Sequence, residues 1–526
     1  MSKTERIPPS PISPLPRRAY WLSIAAGVVG GSAWLPTGLA PFIALVMMAQ
    51  ILALRDARTM RHALRLALVF GVVRYLTASH FLLALIAYSP LAIAFYLMAT
   101  CFILPFSILE SCGAFWLHRY TGFPRGLAFA LLYVFGEWLR TLGDLSFPAD
   151  LLSHAFGTAP SLTRFSAYTG PYGVPLWLCV TGWILAEGWM RRAEHKRWLP
   201  WMLIGLTVWW LPAIPWPQRD QERVTFKVGI VQPKVTIERK LASLRAPDRE
   251  YWDEMKSLTR EAAQGAALVI WPETARPGRL FLRDDQPLHD LEMEELASEV
   301  GVPILYGAEI VRTRGSSVVG LYNGAALVFP DHSPNQWYGK QRLLPFVEGF
   351  PFADWIGFDP AKRPHGKPAG GIEYLTLLGN FARGPEPTIF RVGDARIGVL
   401  ICYEGMYPPL AREYAQRGAN MLAVMTNDIW WGKSAFAPWH AQMVTARANE
   451  LEIPVVRAAN SGVSSYTDQH GVQHEHTASM WTGTLQIEAQ LEKQKAATFY
   501  QRVGDWPIAL IALLFAGSLV RRRFRR

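Results

Sequence analysis

Eight apolar runs, each near the roughly 20 residues that cross a bilayer core, lie at 20–35, 39–54, 64–87, 91–116, 126–142, 173–190, 198–215 and 506–520. Seven precede a long mixed region and one follows it. In that region the apolar segments shorten. Those at 225–231, 267–271, 302–307, 324–329, 396–401, 421–426 and 454–458 are rich in Val, Ile, Leu and Phe and read as strands. Between them, 249–264, 288–300, 407–417 and 439–451 carry helical periodicity. Strands alternating with helices predict an α/β sandwich large enough to bury its own core. The pattern divides the chain into an N-terminal transmembrane domain of about seven helices (1–221), an α/β domain (222–502), and a last helix with a basic tail (503–526).

Composition agrees with this division. Half the residues are hydrophobic and only 18% are charged, below the roughly 25% of a soluble domain. The net charge of +11 would suggest nucleic acid if it covered a soluble face. Instead the cations gather at Arg17-Arg18, in the links Arg55/Arg58/Arg61, His118/Arg119/Arg125 and Arg191/Arg192/Lys196/Arg197, and in the tail 521–526. The alternate links 34–38, 87–90 and 141–170 carry few. The positive-inside rule then puts both termini on the cytoplasmic side and, after seven spans, 222–502 on the outer face. No small-x-small cleavage site follows the first run, which predicts a signal anchor. Arg74, Glu110, Glu137, Arg140 and Glu187 would be expensive facing lipid; Glu137 and Arg140, three apart, share a helix face and could pair.

Three of the four cysteines, Cys101, Cys112 and Cys179, lie inside apolar runs, so no disulfide framework or zinc cluster is suggested. The fourth, Cys402, ends the strand 396–401. It reads either as a buried core cysteine or as a nucleophile displayed at a strand end, the second gaining weight only beside a base and a cation. Both occur. Glu273 follows the strand 267–271, and Lys340 and Glu348 follow in Tyr338-Gly339-Lys340-Gln341-Arg342-Leu343-Leu344-Pro345-Phe346-Val347-Glu348. Gly432-Lys433-Ser434 is no phosphate loop, since position 427 is Asn where such a loop needs Gly.

A Glu, a Lys and a Cys in this order, with Cys402-Tyr403-Glu404, resemble the nitrilase superfamily. Seven spans, a nitrilase-like domain and a final span resemble bacterial apolipoprotein N-acyltransferases more closely. Further matching stretches are Glu137-Trp138-Leu139-Arg140, 426–432, His440, 457–462 and 498–507. Val347, Gly339 and Trp431 depart from that pattern. The resemblance implies a membrane α-helical bundle of about eight spans plus an αββα sandwich. It implies Glu273 as general base, Lys340 as the cation stabilising thiolate and oxyanion, and Cys402 as nucleophile, with Glu348 orienting Lys340, and Tyr403 and Glu404 shaping the pocket.

The implied reaction moves a fatty acyl chain from a phospholipid, through a Cys402 thioester, to the α-amino group of a diacylglyceryl-cysteine apolipoprotein. The implied protein is a multi-pass monomer of the bacterial inner membrane with its catalytic domain on the periplasmic face, needing no metal or organic cofactor and binding no nucleic acid. A membrane-tethered amidase using water as acceptor would use the same three residues. A binding or transport protein with an inactive domain would not need them. The aromatic stretch 346–358, with Phe350, Phe352, Trp355, Ile356 and Phe358, could dip into the membrane interface or pack against its own domain.

Overall fold

The computed structural model describes residues 14–34, 38–87, 90, 92–214, 222–236, 238–239, 248–284, 286–315, 317–345, 347–349, 351–352, 355, 381–493 and 496–524. The first seven apolar runs fold as helices: α1 (Arg17–Ser32), α2 (Ile43–Arg55), α3 (Met60–Ala78), α4 (Ala92–Thr121), α5 (Arg125–Leu139), α6 (Gly173–Met190) and α7 (His195–Trp210). Among the described residues α4 is long and apolar enough to cross a membrane by itself. The expected single run 64–87 is broken: α3 ends at Ala78, and His80–Ala87 continues as a tighter turn bent by 47°. The break falls at the polar pair Ser79-His80, with His80 Nδ1 2.8 Å from the carbonyl of Thr77.

Small residues bring these helices together. A Cβ on Gly31 would lie 2.5 Å from the Arg74 carbonyl, and one on Gly71 2.8 Å from Ser107 Cβ. Of the expected internal charges, Arg74, Glu110, Glu137 and Arg140 are buried, and Arg74, Glu137 and Arg140 are joined through Asp150 and each other. Arg140 Nη2 lies 3.6 Å from Glu137 Oε1, Arg74 Nη2 lies 3.6 Å from Asp150 Oδ2, and Arg140 also pairs with Asp150. The Arg74 guanidinium sits over the rings of Tyr133 and Trp34, at 4.8 and 5.2 Å. Glu187 pairs instead with Arg191 at the end of α6.

The α/β part holds thirteen described strands: β1 (Arg223–Gln232), β2 (Leu268–Ile270), β3 (Arg279–Arg283), β4 (Ile304–Arg314), β5 (Ser317–Val328), β6 (Gln336–Gly339), β7 (Ile389–Val392), β8 (Ala395–Ile401), β9 (Met421–Thr426), β10 (Val455–Ala459), β11 (Ser465–Thr467), β12 (Gln473–His476) and β13 (Gly483–Glu492). One sheet runs β13-β1-β2-β4-β5-β6 with β3 beside β4, and the other runs β12-β11-β10-β9-β8-β7. Alternation divides the core. Val228, Ile230, Leu268 and Ile270 face the second sheet, packing with Ile397, Val399, Leu422 and Val424. Val231, Val269 and Trp271 face outward against α8 (Arg249–Ala262) and α9 (Leu291–Val300) through Tyr251, Met255 and Leu296. On the other side α10 (Pro408–Gln416) and α11 (Phe436–Leu451) cover the second sheet with Leu410, Tyr414, Val444 and Leu451. The layers are therefore helix, sheet, sheet, helix. The chain returns through α12 (Trp506–Arg523).

Every expected strand and helix overlaps an observed one. Six strands were not expected. β3, β6, β7, β11 and β12 are five residues or fewer and exist through their partners. The ten-residue β13 alternates Leu485, Ile487, Ala489 and Leu491 with polar residues, a period of two that a reading based on continuous apolar runs passes over. In the aromatic stretch 346–358, Phe346, Phe350, Ile356 and Phe358 lie outside the described residues. Phe352 and Trp355 are exposed, with ring centroids 5.8 Å apart.

Candidate active site

Four strand ends deliver the site. Glu273 leaves β2 after Trp271-Pro272, Lys340 directly follows β6, Cys402 directly follows β8, and Asn427 directly follows β9. Cys402 carries a positive φ of 52°, a conformation costing an L-residue of order 1 kcal/mol or more and typical of sites where the neighbours dictate geometry. The turn Cys402–Met406 that follows is held by Glu404, whose Oε2 accepts from the Ile401 N–H at 2.8 Å.

Glu273 and Glu348 converge on one cation and one amide. The buried Lys340 Nζ lies 2.7 Å from Glu348 Oε1 and 3.7 Å from Glu273 Oε1. Asn323, in the middle of β5, donates through Nδ2 to Glu273 Oε1 at 2.7 Å and to Glu348 Oε1 at 2.9 Å, while its carbonyl accepts from the Lys340 N–H. The second oxygen of Glu273 accepts from the Asn427 N–H at 2.8 Å, and that of Glu348 from the Leu344 N–H at 2.9 Å. Both carboxylates are thus fixed in orientation.

Burial would favour a neutral Lys340 amine, but Glu348 and then Glu273 hold the ammonium well above its ordinary range. Burial pushes the Cys402 thiol up and Glu273 adds to that, whereas Lys340 and a hydrogen bond from Thr426 pull it back. On balance the environment favours the protonated sulfur.

The structure brings Glu273, Lys340, Glu348 and Cys402 together and gives the two neighbours of the cysteine other partners. Glu404 is buried; its Oε1 accepts from Tyr338 Oη at 2.8 Å and from the Gln341 and Arg342 N–H groups at 2.6 and 2.9 Å. It stitches the loop after Lys340 to the turn after Cys402, and burial pushes its carboxyl up to about 7. Tyr403 points away from the sandwich, donating its hydroxyl to the Ser146 carbonyl in the link after α5.

Behind Asn427 is a buried cluster that its position in the sequence only hinted at. Asp428 pairs with His440 Nδ1 at 2.8 Å and Arg457 Nη2 at 2.7 Å. Asn460 donates to Asn427 Oδ1 at 3.0 Å. Gly462 is required here, because a Cβ would lie 2.0 Å from Asp428 Oδ2. These groups brace the amide that fixes Glu273. Asn323 was not anticipated, although a polar residue inside the apolar run of β5 is the one local sign of it. Among the described residues no group of His, Cys, Asp and Glu is arranged to hold a metal ion.

Two family profiles match the chain: that of the apolipoprotein N-acyltransferase N-terminal domain over residues 26–184 and that of carbon-nitrogen hydrolases over residues 227–497. A Geobacter metallireducens protein named apolipoprotein N-acyltransferase is 26% identical over 97% of this chain and 96% of its own. A Chlorobaculum tepidum protein of the same name is 25% identical over 79% of this chain and 80% of its own. A solved amidase from Nesterenkonia sp. covers 56% of this chain and 97% of its own at 16% identity and a TM-score of 0.36. With both regions present in this order, the chain belongs to the carbon-nitrogen hydrolase superfamily and, within it, to the apolipoprotein N-acyltransferase family.

Proposed function

We propose that this protein N-acylates apolipoproteins, carrying a fatty acyl chain from a phospholipid to the α-amino group of an S-diacylglyceryl-cysteine by way of a thioester on Cys402. The observation that carries this reading is that Lys340 lies 3.7 Å from Glu273 and both act electrostatically on Cys402, the three delivered from strand ends of the two facing sheets, in a chain whose relatives are named apolipoprotein N-acyltransferase. Glu273 takes the thiol proton as the sulfur adds to the ester carbonyl. Lys340 stabilises the oxyanion, and the adduct collapses as the lysophospholipid oxygen leaves with that proton. The acceptor amine then adds to the thioester, giving a proton to Glu273, and the amide forms as the thiol is restored. Water must be kept out between the two halves, which suits a site served by lipid.

Intact-mass measurement of purified protein incubated with phospholipid tests this. A fatty-acyl increment is expected on the wild type and none on Cys402→Ser. Release of free fatty acid without N-acylation of a diacylglyceryl lipopeptide would favour a hydrolase instead.

The reading includes a division into 1–221, 222–502 and 503–526, eight spans, and a sandwich on the outer face of the inner membrane. The apolar helices and the alternation of basic links support it. A membrane-impermeant maleimide should label Glu488→Cys in intact spheroplasts but reach Arg58→Cys only after permeabilisation. The opposite pattern would invert the topology.

A further inference from the structure

The link that follows α5 touches both loops of the site. Thr141 accepts from Tyr407 Oη at 2.5 Å and Ser146 from Tyr403 Oη, so the turn carrying Cys402 is tied to the helical part at two carbonyls. Between them stands Asp144. Its Oδ2 accepts from the Phe352 N–H at 2.9 Å and its Oδ1 lies 2.7 Å from Arg383 Nη2. The two partners belong to the two stretches that frame Lys340 and Glu348. Phe352 is four residues beyond Glu348. Arg383 sits in the stretch 381–384, where the Phe381 N–H donates to the Glu348 carbonyl at 3.1 Å and the Gly384 N–H to the Lys340 carbonyl at 2.8 Å. That contact tolerates nothing larger than glycine, since a Cβ on Gly384 would lie 1.9 Å from the Gly339 carbonyl oxygen. The link is itself anchored at both ends, by Arg140 paired with Asp150 and by the Leu152 N–H donating to Glu137 Oε1 at 3.1 Å.

We propose that Asp144, a residue of the helical part, is a positioning residue that pins both stretches flanking the Lys340–Glu348 pair and so sets where the ammonium stands relative to Cys402. The Asp144–Arg383 pair is partly exposed, and such a pair contributes little to stability by itself. Its effect is geometric, because one carboxylate fixes two backbone segments at once. Arg383 also holds the Asp144 carboxyl below its ordinary range, keeping it an acceptor at neutral pH. The inference rests on the reading of Lys340 and Cys402 as reacting groups, but its physical content can be checked without turnover.

Asp144→Asn should raise hydrogen–deuterium exchange about tenfold at the Phe352 amide and in peptides covering 340–345 and 381–387 of the full-length protein, leaving the strands of the sandwich unchanged. It should also slow acyl-enzyme formation about tenfold at saturating phospholipid, with the half-saturating concentration unmoved. Unchanged exchange in those peptides, or an effect confined to the half-saturating concentration, would overturn the proposal. If the wild type forms no acyl-enzyme, the proposed reaction fails while the exchange comparison still decides the role of Asp144. Should Asp144→Asn not fold, Arg383→Gln breaks the same ion pair and is read by the same two measurements.

Discussion

Lys340→Met is expected to slow acyl-enzyme formation by roughly 10²–10³-fold, the cost of about 3 to 4 kcal/mol found when one preorganised oxyanion donor is lost. The buried ammonium is the only cation the structure places against Glu273 and Glu348 among the described residues. Without it the two carboxylates face each other across the single Asn323 amide with no buried cation between them, an arrangement of uncompensated buried charge. Under the proposed mechanism the substitution therefore removes the oxyanion donor and also disturbs the setting of Glu273. The sulfur responds as well. Lys340, with a hydrogen bond from Thr426, lowers a Cys402 thiol that burial and Glu273 hold above its ordinary range. Alkylation of Cys402 by iodoacetamide should climb steadily with pH through the alkaline range in the wild type, and be slower in Lys340→Met at every pH. Single-turnover mass measurement and the alkylation profile check the two halves, and equal alkylation rates in both proteins would remove Lys340 from the neighbourhood of the thiol.

Glu404→Gln should act on folding more than on chemistry. Four donors converge on this buried carboxylate: three on Oε1 and the Ile401 N–H on Oε2. An amide offers one accepting atom and turns two hydrogens toward a donor. With the amide oxygen in the Oε1 place, the Ile401 N–H loses its acceptor and faces an amide hydrogen instead, which costs about 3 kcal/mol, or a fall in unfolding midpoint of roughly 5 °C. The damage should concentrate where Glu404 joins the Lys340 loop to the Cys402 turn. A thermal melt of the detergent-solubilised protein reads it. An unchanged midpoint with abolished acyl transfer would mean that Glu404 takes part in the reaction directly.

Much of the fold follows from local patterns. A run of apolar residues long enough to form a helix needs no partner to be recognised, and strands such as 421–426, buried on both faces, announce themselves by composition. Glu273 and Cys402, which follow two of those strands, are equally legible, because a polar group just after an apolar run is a local event, whereas Lys340 follows the unexpected β6 and is picked out by the family resemblance. The short strands β6, β7, β11 and β12 leave no such mark, since three or four residues become a strand only when a neighbour supplies the ladder.

The sequence by itself determined where the apolar helices and the principal strands lie, and which polar side chains stand at strand ends. Tertiary structure alone decided that Asn323 would bridge Glu273 and Glu348, that Tyr403 would reach Ser146 rather than the thiol, and that Asp144 would clasp Phe352 and Arg383 more than 200 positions away. The reason is the range of the forces involved. Hydrophobic period and chain stiffness act within a few residues, whereas a hydrogen bond between distant segments exists only after sheet pairing and helix packing have fixed both ends to within an ångström or so.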